Sequence, residues 1–151
     1  MAQLDVVLNG TGFGDVVSIS PDGQIDTSIP QTTGMYDLGT DVTLQAYADP
    51  SSMFTGWTGD GGACGVSTTC VVTMDQAKTV TATFDADTDQ DGVADSVDNC
   101  PSTPNFNQDD ADGDGVGDAC SISIIYPNGG ETYNAGDIFD IVWNNPSDAV
   151  R

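Results

Sequence analysis

Residues 85–120 read DADTDQDGVADSVDNCPSTPNFNQDDADGDGVGDAC, and this stretch decides how the rest of the chain is read. It gathers Asp85, Asp87, Asp89, Asp91, Asp95, Asp98, Asp109, Asp110, Asp112, Asp114 and Asp118, with no lysine, arginine or histidine among them. Carboxylates at that density repel one another unless a positive charge sits between them. The chain's cationic side chains are Lys78 and Arg151 alone, against a formal net charge of −22. The compensating charge therefore comes from outside, and hard oxygen ligands at alternating positions ask for Ca2+.

The spacing turns the charge into a site. Asp87, Asp89, Asp91, Gly92, Val93, Asp95 and Asp98 follow D-x-D-x-D-G-x-x-D-x-x-D. This is the ligand order of an EF-hand loop: side chains at positions 1, 3 and 5, a sharp glycine turn at 6, a backbone carbonyl at 7 and a closing carboxylate at 12. Asp98 closes with a shorter arm than the usual glutamate, and the flanking helices of an EF-hand are missing. A second loop comes next in Asp110, Asp112, Asp114, Gly115, Val116 and Asp118. Its twelfth position is Ser121, a poor ligand, so another group must close that shell; Asn105, Asn107, Gln108 and Asp109 are the nearby candidates. At least two calcium ions are expected. The competing reading is a solvated acidic linker. A random acidic tract, however, would mix Glu with Asp and would not place Gly after the third Asp twice.

These residues carry a resemblance. The pattern from Asp87 through Asn99-Cys100-Pro101 to Asp118 and Cys120 is similar to the thrombospondin type 3 repeat, over residues 85–120. The resemblance implies an extended, calcium-wrapped cassette shaped by ions and disulfides, and a bridge from Cys100 to Cys120. The apolar content agrees: Val93, Val97, Phe106 and Val116 cannot bury enough surface to offset chain entropy. Ion binding in such a segment is part of folding.

A chain of 151 residues allows one or two compact domains. No basic patch exists to neutralise phosphate, which excludes nucleic acid as a partner and disfavours anionic membrane surfaces. No apolar run reaches transmembrane length, so membrane insertion is not expected, and MAQLDVVLNG lacks the regions of a signal peptide. Calcium at extracellular levels and paired cysteines belong outside the cell. The expectation is an extracellular or cell-surface location, in a portion of a longer secreted protein. Four cysteines permit three connectivities. The local pairs, Cys64 with Cys70 and Cys100 with Cys120, are the expected ones, since no histidine and no C-x-x-C supports zinc.

Residues 1–86 alternate with period two, giving a mainly β reading. Leu4 to Leu8, Val16 to Ser20, a run with Val42, Leu44 and Ala46 on one face, Cys70 to Met74, and Lys78 to Phe84 read as strands. The pieces Phe54-x-Gly56-Trp57-x-Gly59, Cys64/Cys70 and Val72-Thr73-Met74-Asp75 leading to Phe84 resemble the divergent internalin-type B repeat of bacterial surface proteins. That resemblance implies a β-grasp-like or compact strand-rich module of structural or adhesive use. Trp57 is read as core, beside Phe54 and a small disulfide.

Residues 121–151 alternate again at Ile122 and Ile124, then at Ile138, Phe139, Ile141 and Trp143. The pattern I-x-x-P-N-G-G-E looks like the opening of an Ig-like sandwich common in secreted microbial proteins. Such a sandwich needs about 100 residues, and this partial β-segment cannot cover its own apolar face. The cover has two expected sources. Copies of the chain complete one another head to tail as a filament, or neighbouring domains of a longer surface protein or secreted enzyme supply it. No catalytic constellation is present: there is no histidine, and Gly10-Thr11-Gly12-Phe13-Gly14 lacks the Lys and helix of a phosphate loop. Asn9-Gly10-Thr11 is a glycosylation sequon, with Asn9 as acceptor.

Overall fold

Alternation in the sequence becomes alternation in burial. In a computed structural model, residues 1–121, 124–126, 130, 132–136, 138 and 140–143 are described. Eight strands build the N-terminal part: β1 (Ala2–Asn9), β2 (Gly14–Ser20), β3 (Asp22–Asp26), β4 (Thr33–Tyr36), β5 (Asp41–Ala48), β6 (Ser52–Gly59), β7 (Thr69–Thr73) and β8 (Lys78–Ala86). One sheet has the order β4-β1-β8-β6 and the other β3-β2-β5-β7. Every pairing is antiparallel except β1 with β8, which run parallel from Leu4↔Lys78 to Asn9↔Thr83.

The two sheets share one core. Ala2, Leu4 and Val6 of β1 and Val80, Ala82 and Phe84 of β8 meet Val16, Ile25, Val42, Leu44, Ala46, Cys70 and Val72 of the other sheet. Burying each large aliphatic or aromatic side chain contributes about 1.5–3 kcal/mol before chain entropy is subtracted. The intervening Thr79, Thr81 and Thr83, like Thr43, Gln45 and Tyr47, lie on the outer faces, as the period-two reading expects. The strand-rich form of the module is the one realised. Its helical content among the described residues is a single 3-10 turn at Gly62–Cys64, which the Cys64–Cys70 disulfide ties to β7 across a Cα separation of 5.3 Å.

Trp57 belongs to this core. It is buried, its indole Nε1 donates to the Ser67 carbonyl at 2.7 Å, and its ring lies 5.1 Å from that of Phe54, which in turn sits 5.4 Å from Phe84. A ring so enclosed is unavailable for stacking on a ligand. The remaining described strands, β9 (Ile124–Tyr126) and β10 (Val142–Trp143), form an antiparallel pair of their own. Of the residues expected to alternate there, Ile122 and Phe139 lie outside the described residues.

The Gly10-Thr11-Gly12 turn has a packing role. It crosses the end of β8, where Gly12 N donates to the Phe84 carbonyl at 2.9 Å and Ala86 N donates to Thr11 Oγ1 at 3.1 Å. Gly10 holds φ +105°, and a Cβ there would lie 1.9 Å from the Phe84 carbonyl oxygen. Gly10→Ala is therefore expected to destabilise the module by about 2 kcal/mol or more, from backbone strain and collision together. Gly39→Ala, at φ +87° with open space around it, should cost only the strain, about 1 kcal/mol. Urea unfolding of both variants in chelator measures the difference.

Candidate metal centre

Where β8 ends, the first acidic loop begins without a connecting turn: Ala86 is the last strand residue and Asp87 the first expected ligand. Asp87, Asp89 and Asp91 each place a carboxylate oxygen within 4.8 Å of the others, and Asp110, Asp112 and Asp114 do the same in the second loop. The glycine at the sixth position turns each loop back on itself, Gly92 at φ 91° and Gly115 at φ 90°.

The two loops share most of their hydrogen bonds; the exception is Gly113 N, which donates to Asp110 Oδ1 at 2.9 Å, where the equivalent Asp87 Oδ1 has no partner. Gly92 N donates to Asp87 Oδ2 at 3.2 Å, as Gly115 N does to Asp110 Oδ2 at 3.0 Å. Asp91 N reaches Asp89 Oδ1 at 3.2 Å, as Asp114 N reaches Asp112 Oδ1 at 3.3 Å. Val93 N donates to Asp91 Oδ1 at 2.9 Å and Val116 N to Asp114 Oδ1 at 2.8 Å. Past the loops, Asp98 N bonds the Ala94 carbonyl at 3.0 Å and Ser121 N the Gly117 carbonyl at 2.9 Å. Ser121 thus occupies in the second loop the place that Asp98 occupies in the first.

Closure separates them. Asp87 and Asp98 are buried, and three buried carboxylate oxygens, Asp87 Oδ1, Asp89 Oδ2 and Asp98 Oδ2, have no hydrogen-bond partner. A buried carboxylate oxygen without a donor is costly unless a cation satisfies it. The residues therefore fit an oxygen-liganded divalent ion in the first loop, with Asp87, Asp89, Asp91 and Asp98 as its side-chain donors. Dehydration, reinforced by the charges of Asp91, Asp98 and Asp87, pushes the Asp89 carboxyl above its ordinary range. In the second loop the carboxylates of Asp112 and Asp114 are exposed, and hydrogen bonding, foremost from Gly115 N–H, holds the Asp110 carboxyl below the usual value.

Other expected ligands have protein partners. Asp95 accepts from Thr88 N at 2.7 Å and from Thr88 Oγ1 at 2.6 Å, which lowers its carboxyl pKa; Asp118 accepts from Ala111 N at 3.1 Å. Both act as braces across their loops in this arrangement. Asn105 and Gln108, expected near the second loop, serve the first: Asn105 N donates to Asp91 Oδ2 at 2.7 Å, and Gln108 Nε2 donates to Asp98 Oδ1 at 2.8 Å. Asn107 donates to Asp109. Val93 and Val116 stand at the seventh position, whose backbone carbonyl is the expected ligand. Asn9, the sequon acceptor, is exposed at the end of β1.

The Cys100–Cys120 disulfide joins the ends of the two loops, with a Cα separation of 5.7 Å and a sequence separation of 20. A loop of that size removes about 3 kcal/mol of unfolded-chain entropy. It also fixes Asp98, whose Oδ1 accepts from Cys100 N at 2.7 Å. Calcium titration calorimetry should resolve a tighter site, lost in Asp89→Asn, and a weaker one, lost in Asp112→Asn. Ser121→Asp supplies the missing closing carboxylate and should tighten the weaker site about tenfold, a gain of about 1.4 kcal/mol.

Residues 16–88 match the family model of the divergent InlB B-repeat domain, and residues 83–108 match that of the thrombospondin type 3 repeat. No curated protein and no solved structure matches the chain. Strand β1 precedes the first matched range yet lies at the middle of its sheet, and the second loop lies past the second matched range yet reproduces the first loop's bonding. Neither match reaches the Ig-like opening expected after residue 120. Repeats of the second kind bind calcium, and both kinds are typically non-catalytic structural modules of extracellular proteins. The chain carries a divergent InlB B-repeat domain followed by a thrombospondin type 3 repeat.

Proposed function

We propose that this chain is a calcium-braced structural element of an extracellular or cell-surface protein, in which a β-sandwich is extended by a cassette that calcium stiffens. One observation supports it above the rest: the first acidic loop buries carboxylate oxygens that no protein group satisfies. A segment stabilised in this way gains its shape from the ion, because its apolar side chains, such as Val97 and Phe106, stay exposed. Calcium would supply the positive charge that lets the carboxylates converge, and the disulfides fit an oxidising compartment. The role is mechanical or adhesive. On this reading the cassette carries one ion in residues 87–98 and another in residues 110–121, and residues 1–86 and 121–151 flank it.

A second reading concerns the β9–β10 pair. Ile138, Ile141 and Val142 leave apolar side chains in solvent around it, and bare strands of that kind invite cover. A neighbouring copy would make a head-to-tail filament; a neighbouring domain would make the chain a non-catalytic arm of a larger adhesin or secreted enzyme. Electron microscopy and light scattering of the purified chain in calcium and in chelator discriminate these. Filaments that loosen in chelator carry the first form, and monodisperse single molecules at high concentration remove it.

For the leading proposal, small-angle scattering is the test. Chelator should increase the radius of gyration and broaden the pair-distance distribution, and readdition of calcium should reverse both. Reduction of Cys100–Cys120 in calcium should weaken the compact form without abolishing it. Curves that superpose with and without calcium overturn the structural role of the ion.

A further inference from the structure

We infer that the first ion welds the cassette to the β-sandwich, so that calcium bound to residues 87–98 stabilises the end of the sandwich while calcium in the second loop does not. The inference rests on the reading that the loops bind calcium. It is carried by residues that serve both units at once.

Asp87 is the first of them. Its carboxylate joins the cluster with Asp89 and Asp91 and has an unpartnered buried oxygen. Its backbone N–H donates to the Ser51 carbonyl at 3.1 Å, in the turn between β5 and β6. Asp85 and Ala86, the last residues of β8, are fastened from the other side. Thr11 N donates to Asp85 Oδ1 at 3.3 Å, Thr55 Oγ1 donates to Asp85 Oδ2 at 3.0 Å, and Ala86 N donates to Thr11 Oγ1 at 3.1 Å. The loop then returns to the strand, with Asp95 N donating to the Ala86 carbonyl at 2.9 Å.

An ion that fixes Asp87 therefore fixes the sandwich turn that its N–H holds, and fraying of that turn would pull a ligand off the ion. Linkage makes the effect reciprocal. The second loop has no such attachment among the described residues. The counterpart of the Asp95-to-Ala86 bond is Asp118 N to the Asp109 carbonyl at 2.8 Å, inside the cassette, and Gly117 N donates to the Asn99 carbonyl at 3.0 Å.

NMR-detected hydrogen exchange on the full chain, with calcium alone as the probe and chelator as the control, reads both units. At calcium about one hundred times the dissociation constant, the amides of Gly92 and Val93 should exchange more slowly. Those of Gly12, Ala86 and Asp87 should also slow, by up to about 100-fold where their opening releases the ion. Asp89→Asn should abolish the slowing at Gly12, Ala86 and Asp87, and Asp112→Asn should leave it intact. Slowing confined to the cassette, with the sandwich end unchanged, overturns the weld and leaves calcium binding standing. No slowing anywhere overturns calcium binding itself, and a loss in Asp112→Asn equal to that in Asp89→Asn overturns the assignment to the first loop.

Discussion

Mutual repulsion among converging carboxylates is the constraint on which the rest of this structure depends. Asp87, Asp89 and Asp91 bring their oxygens together at the end of a strand, and Asp98 is folded in behind them with one oxygen unpaired. The protein supplies hydrogen bonds to the outward oxygens, from Gly92, Val93, Asn105, Cys100 and Gln108. Among the described residues it supplies no cation there: Lys78 is engaged with Asp75 at 2.8 Å. Backbone and amide donors can orient a carboxylate but cannot cancel its charge. A divalent ion would do both, and the composition and the geometry each fit one.

The two loops share one turn and differ in what covers it. The backbone bonds at the third aspartate, the glycine and the valine are the same in both, so the D-x-D-x-D-G register is enough to set the local turn. Enclosure is a separate property. It comes from Asp98, from the amides of Asn105 and Gln108, and from Cys100, all of which gather on the first loop. The second loop keeps the turn and has a serine where the closing carboxylate would stand. One sequence motif thus yields a buried site and an open one, depending on what the intervening residues 99–109 cover.

Much of this was legible in the sequence, and the exceptions have physical reasons. Strands β1, β2, β5, β7 and β8 announce themselves because one face is apolar and the other is not. Strands β3 and β4 are short, and D-G-Q-I-D and T-G-M-Y do not alternate strongly enough to be distinguished from turns. Strand β6 reads S-M-F-T-G-W-T-G, and a register shift between Phe54 and Gly56 breaks its periodicity, so its residues were recognisable as a motif and not as a strand. In the cassette the convergence of Asp87, Asp89 and Asp91, and of Asp110, Asp112 and Asp114, was plain from spacing. The engagement of Asp95 by Thr88, and the recruitment of Asn105 and Gln108 to the first loop, depend on how the chain doubles back, which spacing does not encode.

The parallel pairing of β1 with β8 has a mechanical meaning. These are the first and last strands of the sandwich, and they lie side by side through Leu4↔Lys78 to Asn9↔Thr83. Tension applied between the start of β1 and the cassette that leaves β8 draws the two strands in opposite directions along their own axes. The ladder between them is then loaded in shear, with its hydrogen bonds sharing the force instead of opening one at a time like a zipper. A chain held at both ends would meet a pull first at this pair, where the architecture resists it best.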